Sequence, residues 1–345
     1  MLKKRAIIIL LVSILSMGLI SCDNSKKAEN NNKEVNSYEK TEKILGTVVS
    51  GVAYGDNAKE ALEKAFNRAK DIENMMSVNI ENSELSKVNS EAFHKSVKLS
   101  DDLYYVIEKS IYYANLTDGA LDPTIGHVID SWGIGTEHAN IPEKTLIDKY
   151  KDLKNYKNIE LNPNTKEIRF LNENIKLDLG AIGKGYAGDE MRKVLSLREE
   201  GINSALLNLG GNVVALGNKI NNENWSIGIR NPKEENEISA SVKINDEVVV
   251  TSGNYERYFI KDGVRYHHIL DPSTAYPAES GLISSTIITK NGIDADALST
   301  ATYILGAEKA KKLIEGLDGV EALFIKDNMN FIETSNLDNK GFRGM

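Results

Sequence analysis

Cysteine is nearly absent: Cys22 is the one cysteine in 345 residues. The body of the chain therefore has no intrachain disulfide, no cysteine-based metal site and no cysteine nucleophile. Histidine is scarce too, with five residues. His94, His127 and His138 are scattered and no H-x-x-x-H spacing occurs, which argues against a histidine-based zinc site. Positive charge is in deficit, with 42 Lys and Arg against 50 Asp and Glu and a net charge of −8. That balance argues against nucleic acid or a polybasic membrane contact as a partner. No internal repeat with a period of about 20–50 residues is visible.

Long apolar runs are missing except at the start. Ala6 to Ile20 is fifteen residues, short for a spanning helix, and it follows Lys3-Lys4-Arg5, so it reads as the apolar core of an export signal. It ends in Leu19-Ile20-Ser21-Cys22, which is similar to a bacterial lipobox, where the cysteine becomes the lipidated first residue. The expectation is a signal peptide over 1–21 and a lipid on Cys22. Acyl chains would then hold the body on the extracytoplasmic side of the cell membrane. Asp23 after the cysteine would favour the periplasmic face of the inner membrane in a Gram-negative cell. The competing reading is a membrane-anchor helix that ends in Cys.

Residues 22–42 hold Asn, Lys, Ser and Glu with few large apolar side chains, and are expected to be a disordered tether. The body is then 43–345, long enough for one large domain or two ordinary ones. Leu45-Gly46-Thr47 is expected to open a strand. Apolar residues at helical spacing predict helices over Asn57–Met76 and Asp101–Leu116, and further helices are expected at Ala187–Leu197, Asp294–Leu305 and Ala307–Leu317. Short strands are expected between them, including Glu167–Phe170, Ile175–Leu179, Ala205–Leu209, Val213–Leu216 and Val248–Val250. Strands in runs with helices set apart predict an α+β fold of largely antiparallel sheets with flanking helices.

Leu177 to Asp189 joins an expected strand to a helix and carries Gly180, Gly183, Gly185 and Gly188. Glycines permit close backbone approach, and a helix N-terminus beside Lys184 suits a phosphate or pyrophosphate. Gly183 to Gly188 matches G-x-G-x-x-G, but the next strand, Ala205 to Gly211, has no acidic residue, which speaks against a dinucleotide fold. Glycines that only let the helix pack on the sheet are the alternative. Asp296 and Thr300, four apart on a helix, share one face and offer hard oxygens suited to Mg²⁺ on a phosphate. An ordinary N-cap is the alternative there. Tyr104, Tyr105, Tyr112 and Tyr113 are expected to pack rather than stack on a ligand. The densest polar stretch runs from Thr251-Ser252-Gly253-Asn254-Tyr255 to His267-His268-Ile269-Leu270-Asp271-Pro272. Adjacent histidines in an extended segment point to opposite faces, so one of them faces a given site. His268, just before a turn, is the candidate for taking a proton from an alcohol, and His267 is expected to be structural.

These segments, in this order from about Leu45 to Lys326, resemble the ApbE family of FAD:protein FMN transferases. The resemblance rests on Met76-Ser77, Ser83-Glu84-Leu85 with Asn89, Thr117-Asp118-Gly119-Ala120-Leu121-Asp122-Pro123-Thr124, Leu177 to Ala187, Asn208-Leu209-Gly210-Gly211-Asn212, Thr251 to Tyr255, His268 to Pro272, and Asp296 to Thr300. It implies an enzyme that cleaves FAD, passes FMN to a Thr or Ser hydroxyl of an acceptor protein, and releases AMP. Mg²⁺ would be held by Asp296, Thr300 and the Ala181 carbonyl, with Ser299 a further candidate. FAD would contact Ala120, Leu121, Asp122, Asp178, Lys184 and Leu270, with Thr251, Ser252 and Gly253 facing the flavin, and His268 would be the base. By the same resemblance the acceptor would be a membrane-associated electron-transfer protein. Two other readings stay open: an FAD diphosphatase giving FMN and AMP, and a non-catalytic flavin-binding lipoprotein. The chain departs from the family's pattern at Leu45, where Met is usual, and at Ala275, where Gly is usual. If that position needs a positive φ, Ala275 is strained. Asp296 to Thr302 also looks like the acceptor motif that the family modifies, which raises self-modification at Thr302.

Overall fold

A computed structural model describes residues 36–345 except 152 and 154. The export signal, Cys22 and most of the expected tether lie outside the described residues. Among these no helix is long and apolar enough to cross a membrane.

The main sheet has eight strands: β1 (Ser37–Ile44), β2 (Thr47–Tyr54), β3 (Ser204–Leu209), β4 (Asn212–Leu216), β5 (Val248–Gly253), β6 (Leu282–Thr289), β7 (Glu321–Lys326) and β8 (Phe331–Glu333). They lie side by side in chain order, and every neighbouring pair is antiparallel. The sheet thus contains none of the parallel pairs that a dinucleotide fold requires. Helices α1 (Ala58–Met76), α2 (Asp101–Leu116), α3 (Gly183–Leu195), α4 (Gly292–Leu305) and α5 (Ala307–Glu315) supply the helical side. Leu62, Phe66, Met191, Leu298 and Val250 meet in one large core between helices and sheet. On the opposite face Ala215, Val249, Ile288 and Leu323 pack with Trp225, Ile227, Val242 and Ile244 from a three-stranded sheet. Strand β6 is buried along its whole length because it is covered on both faces. The α+β expectation holds, with antiparallel sheets throughout.

Expectations need correction in two places. Regular structure begins at Ser37, inside the stretch read as a tether. Strand β1 is an edge strand rich in Glu and Lys, and only Ile44 is buried. Composition therefore hides it; pairing with the whole of β2 and the contacts of Lys40 with Glu63 and Lys70 with Glu42 hold it in place. Leu45 (φ 56°) and Gly46 (φ 66°) form the hairpin turn, so Leu45 occupies the left-handed region rather than opening a strand. The second correction concerns Ile175–Leu179, which makes only an isolated bridge between Ile125 and Lys176. The Asn89 side chain takes the place of a neighbouring strand. Its amide donates to the Leu177 carbonyl at 2.9 Å and accepts from the Leu177 N–H at 2.7 Å.

Candidate active site

The site is built where the first turns of α3 and α4 meet. A Cβ on Gly185 would lie 2.1 Å from the Gly292 carbonyl oxygen, and a Cβ on Gly292 would lie 2.5 Å from the Gly185 oxygen. Only glycine at both positions allows this approach. Each helix then caps the other. Asp189 of α3 accepts from the N–H groups of Gly292 (2.7 Å) and Ile293 (2.9 Å) at the start of α4. Asp296 of α4 accepts from Gly185 N–H at 2.8 Å in the first turn of α3. Carboxylates are favoured at helix N-termini by the free N–H groups and the dipole. Asp296 is therefore not a cap of its own helix. The glycines divide: Gly185 serves helix contact, Gly188 lies against Val214 and Leu209 of the sheet, and Gly183 faces open space.

Lys184 lies beside this junction. Its Nζ is 3.4 Å from Asp296 Oδ1 and 3.3 Å from the Gly180 carbonyl. Gly180 N–H donates to Asp178 Oδ1 at 2.8 Å. Asp178 is half-buried, and desolvation raises its pKa, opposed by that hydrogen bond. Asp178 N–H in turn donates to the Pro123 carbonyl at 2.8 Å, which brings the Ala120-Leu121-Asp122 turn against the glycine segment. Asp122 is buried, accepts from Thr124 N–H (2.8 Å) and Oγ1 (2.6 Å), and also has its pKa raised by desolvation. Leu121 is buried under the turn, and its N–H donates to Thr117 Oγ1 at 3.1 Å.

The end of β5 joins α4 from the sheet side. Ser252 Oγ is 2.8 Å from Ser299 Oγ and 3.3 Å from Thr300 Oγ1. Ser299 is fully buried and donates to the Asp296 carbonyl at 2.9 Å, whereas Thr300 is half-buried on the same side of the helix. Thr251 is the neighbour of Ser252 on a strand, so it points the other way. Its hydroxyl pairs with Thr286 at 2.8 Å on β6. Gly253 packs beneath the Tyr255 ring, where a Cβ would lie 2.5 Å from ring carbon. Thr302 is fully buried and donates to the Leu298 carbonyl, so self-modification there is excluded by access in this fold.

The two histidines separate as expected. His267 is buried, its Nε2 faces the Ala278 carbonyl at 3.2 Å, and its Nδ1 faces Ile269 N–H at 3.3 Å. A carbonyl only accepts and an amide N–H only donates, which fixes the neutral tautomer with the proton on Nε2. Burial lowers its pKa to about 4. His268 is open to solvent. Its backbone N–H (3.0 Å) and its Nδ1 (3.2 Å) both face the Arg257 carbonyl. Nδ1 must be the donor, so Nε2 carries the free lone pair. Surrounding protein, then the Arg257 and Lys184 cations, lower the His268 pKa, and the ring is neutral at pH 7. Arg257 also donates to the Gly46 carbonyl at 3.1 Å, tying this segment to the β1–β2 turn. Leu270 lies in a small core with Trp132 and Ala275. Ala275 has φ 58° and its carbonyl accepts from the Trp132 indole at 2.9 Å. The departure from glycine there does place an alanine in the left-handed region.

Tyr104 and Tyr113 are buried as expected, while Tyr105 and Tyr112 are exposed. Sequence reasoning gave no role to Asp189, Gly292 or Arg257. Asp189 closes the glycine-rich run and Gly292 opens α4, but nothing along the chain marks two distant helix starts as touching.

The ApbE family model matches residues 45–324. This chain belongs to the ApbE family. Among curated relatives, the FAD:protein FMN transferase of Treponema pallidum (strain Nichols) is 34% identical over 311 residues, covering 84% of this chain and 85% of that protein. That of Klebsiella pneumoniae (strain 342) is 34% identical over 278 residues, covering 80% and 85%. The crystal structure of the ApbE protein from Thermotoga maritima superposes with a TM-score of 0.82 at 32% identity, covering 88% of this chain and 99% of that one. The flavin transferase ApbE from Vibrio cholerae, at 22% identity and a TM-score of 0.79, shares the fold.

Proposed function

We propose that this chain transfers FMN from FAD to a Thr or Ser hydroxyl of an acceptor protein. The observation that carries the reading is the setting of His268: an exposed residue anchored through Nδ1 on the Arg257 carbonyl, which leaves Nε2 free. In the proposed step the acceptor oxygen attacks the phosphorus of the FMN half. Its proton passes to His268 Nε2, the pyrophosphate P–O bond breaks, and AMP leaves with the second phosphate. Base catalysis of this kind contributes about 10²–10⁴ in rate. Lys184 and the first turn of α3 would face the phosphates, where charge shifts in the transition state. Ala120, Leu121, Asp122, Asp178 and Leu270, with Ser252 and Gly253, are the candidate FAD-binding wall; Thr251, expected to face the flavin, turns its hydroxyl to Thr286 on β6 instead.

Mg²⁺ belongs to this reading as well. Asp296 is 3% exposed, and Thr300 and Ser252 bring hydroxyls to the same helix face. Among the described residues no three His, Cys, Asp or Glu cluster. That fits a hard cation held by one carboxylate, hydroxyl and carbonyl oxygens and substrate phosphate, and not a protein-only cage. Asp296, Thr300 and the Ala181 carbonyl would hold it; Ser299, bonded to Asp296 and Ser252, is the weaker candidate. Bound there, the ion would offset pyrophosphate charge. Lipidation at Cys22 and an extracytoplasmic, membrane-held body remain part of the proposal, with a membrane-associated electron-transfer protein as acceptor.

The solvent-open His268 also supports a second reading, in which water replaces the acceptor hydroxyl and FMN and AMP are freed. The test is to incubate the purified chain with FAD, Mg²⁺ and a Thr-containing acceptor domain and to read covalent flavin fluorescence on the acceptor after denaturing electrophoresis. A labelled acceptor is expected. Free FMN without label would replace transfer by hydrolysis, and tight FAD binding with neither product would leave only a binding protein.

A further inference from the structure

Asp296 cannot leave its position. Its side chain is 4% exposed, its helix is pinned at Gly185–Gly292, and its Oδ2 is held by Gly185 N–H. Burying a carboxylate is costly unless it is paired or hydrogen-bonded. The partner in this structure is Lys184, whose Nζ also meets the Gly180 carbonyl. Lys184 is different in kind: its side chain is 26% exposed, and its long flexible stem can carry the ammonium out to solvent at little cost. One group is fixed and the other is free to move.

We propose that Lys184 is an internal stand-in for the divalent cation, a latch that neutralises Asp296 until a metal ion arrives and then swings away from it. The inference rests on the reading of Asp296 as a metal ligand and adds an exchange of cations at that carboxylate. The ammonium takes up Asp296 Oδ1, the oxygen Mg²⁺ would need, and meets the Gly180 carbonyl next to the Ala181 carbonyl assigned to the metal. Both cannot bind the same Oδ1 at full strength. The latch keeps α4 stable without metal and makes metal entry compete with an intramolecular partner. It also releases a cation at the phosphate end of the site at the moment the metal is loaded.

The experiment uses the folded chain without FAD, with Mg²⁺ as the probe; if neither wild type nor Lys184→Met binds Mg²⁺ without substrate phosphate, Asp296 does not exchange one cation for the other and the latch is overturned. Amine acylation at Lys184 is followed by peptide mass spectrometry with and without saturating Mg²⁺, and Mg²⁺ binding is measured by calorimetry. Mg²⁺ should raise the labelling rate of Lys184 about threefold to tenfold, the range expected for breaking a part-exposed ion pair. In Asp296→Asn, Lys184 should label fast from the outset and ignore Mg²⁺. Lys184→Met should bind Mg²⁺ about threefold to tenfold more tightly than wild type, with Lys184→Arg returning towards wild type. If Mg²⁺ binds and Asp296→Asn abolishes that binding, but Lys184 labelling does not rise, the latch is wrong and the metal site stands. If Asp296→Asn leaves Mg²⁺ binding unchanged, the metal-ligand reading fails and the latch fails with it.

Discussion

Asp189 and Asp296 each cap the other's helix: Asp189 holds two N–H groups at the start of α4, and Asp296 holds one in the first turn of α3. The exchange fixes the angle and spacing of two helix N-termini, and with them the positions of Lys184, Ser299 and Thr300. Asp189 also accepts from Arg192 of its own helix at 3.2 Å, so all of its side-chain contacts hold structure together.

Asp189→Ala should therefore destabilise the fold by about 1–2 kcal/mol, the value of a lost helix cap whose donors are part-buried. Urea unfolding of the two proteins side by side checks it. A change within about 0.3 kcal/mol would show that water replaces the carboxylate freely and that the exchange does not hold the helices.

Gly185→Ala should be far more damaging. The added carbon meets a backbone oxygen at 2.1 Å, and neither helix can retreat without losing its cap. Overpacking of this sort costs about 3 kcal/mol or more. Soluble yield and thermal melting should both fall sharply, and a protein that melts like wild type would contradict the close approach.

Ala275→Gly should raise the melting temperature slightly. A left-handed alanine costs about 1 kcal/mol, while the buried methyl beside Trp132 and Leu270 and the freer unfolded glycine return part of it. The expected net gain is about 0.5 kcal/mol. A fall in stability would show that the methyl's packing outweighs the backbone strain.

His267 gives stability a pH dependence with a definite sign. Its folded pKa is lowered to about 4, so between about 6.5 and 4 the unfolded chain binds a proton that the native protein refuses. This contribution is fully present above about pH 6.5 and declines as pH falls towards 4, by at most about 1.4 kcal/mol per pH unit. Wild type and His267→Gln, unfolded by urea at pH 7.5 and pH 5, should differ less at the lower pH. An equal difference at both would mean that His267 is not held neutral.

The motif residues around the site could be read from the chain because their chemistry is local: glycines beside Lys184, Asp296 one helical turn from Thr300, two histidines before a turn. The conditional reading of Ala275 also held, since a glycine position filled by alanine pointed to the φ 58° found there. What escaped was contact between distant segments. β1 looked like tether because its polar side chains face solvent and its order comes from β2. Ile175–Leu179 looked like a strand because it is apolar, yet Asn89 satisfies its backbone in place of a neighbouring strand. The touching glycines, Gly185 and Gly292, leave no one-dimensional signal, because glycine before or within a helix start has many causes.

The central claim is transfer to a protein hydroxyl with His268 as the base. The direct measurement is the ratio of AMP released to flavin bound covalently to the acceptor, taken for wild type, His268→Ala and Asp296→Ala. The account predicts a ratio near one for wild type. It predicts a rate lower by about 10²–10⁴ for His268→Ala, with an unchanged melting temperature because the ring is exposed, and no product from Asp296→Ala. AMP released without covalent flavin, or a His268→Ala protein as fast as wild type, would contradict it.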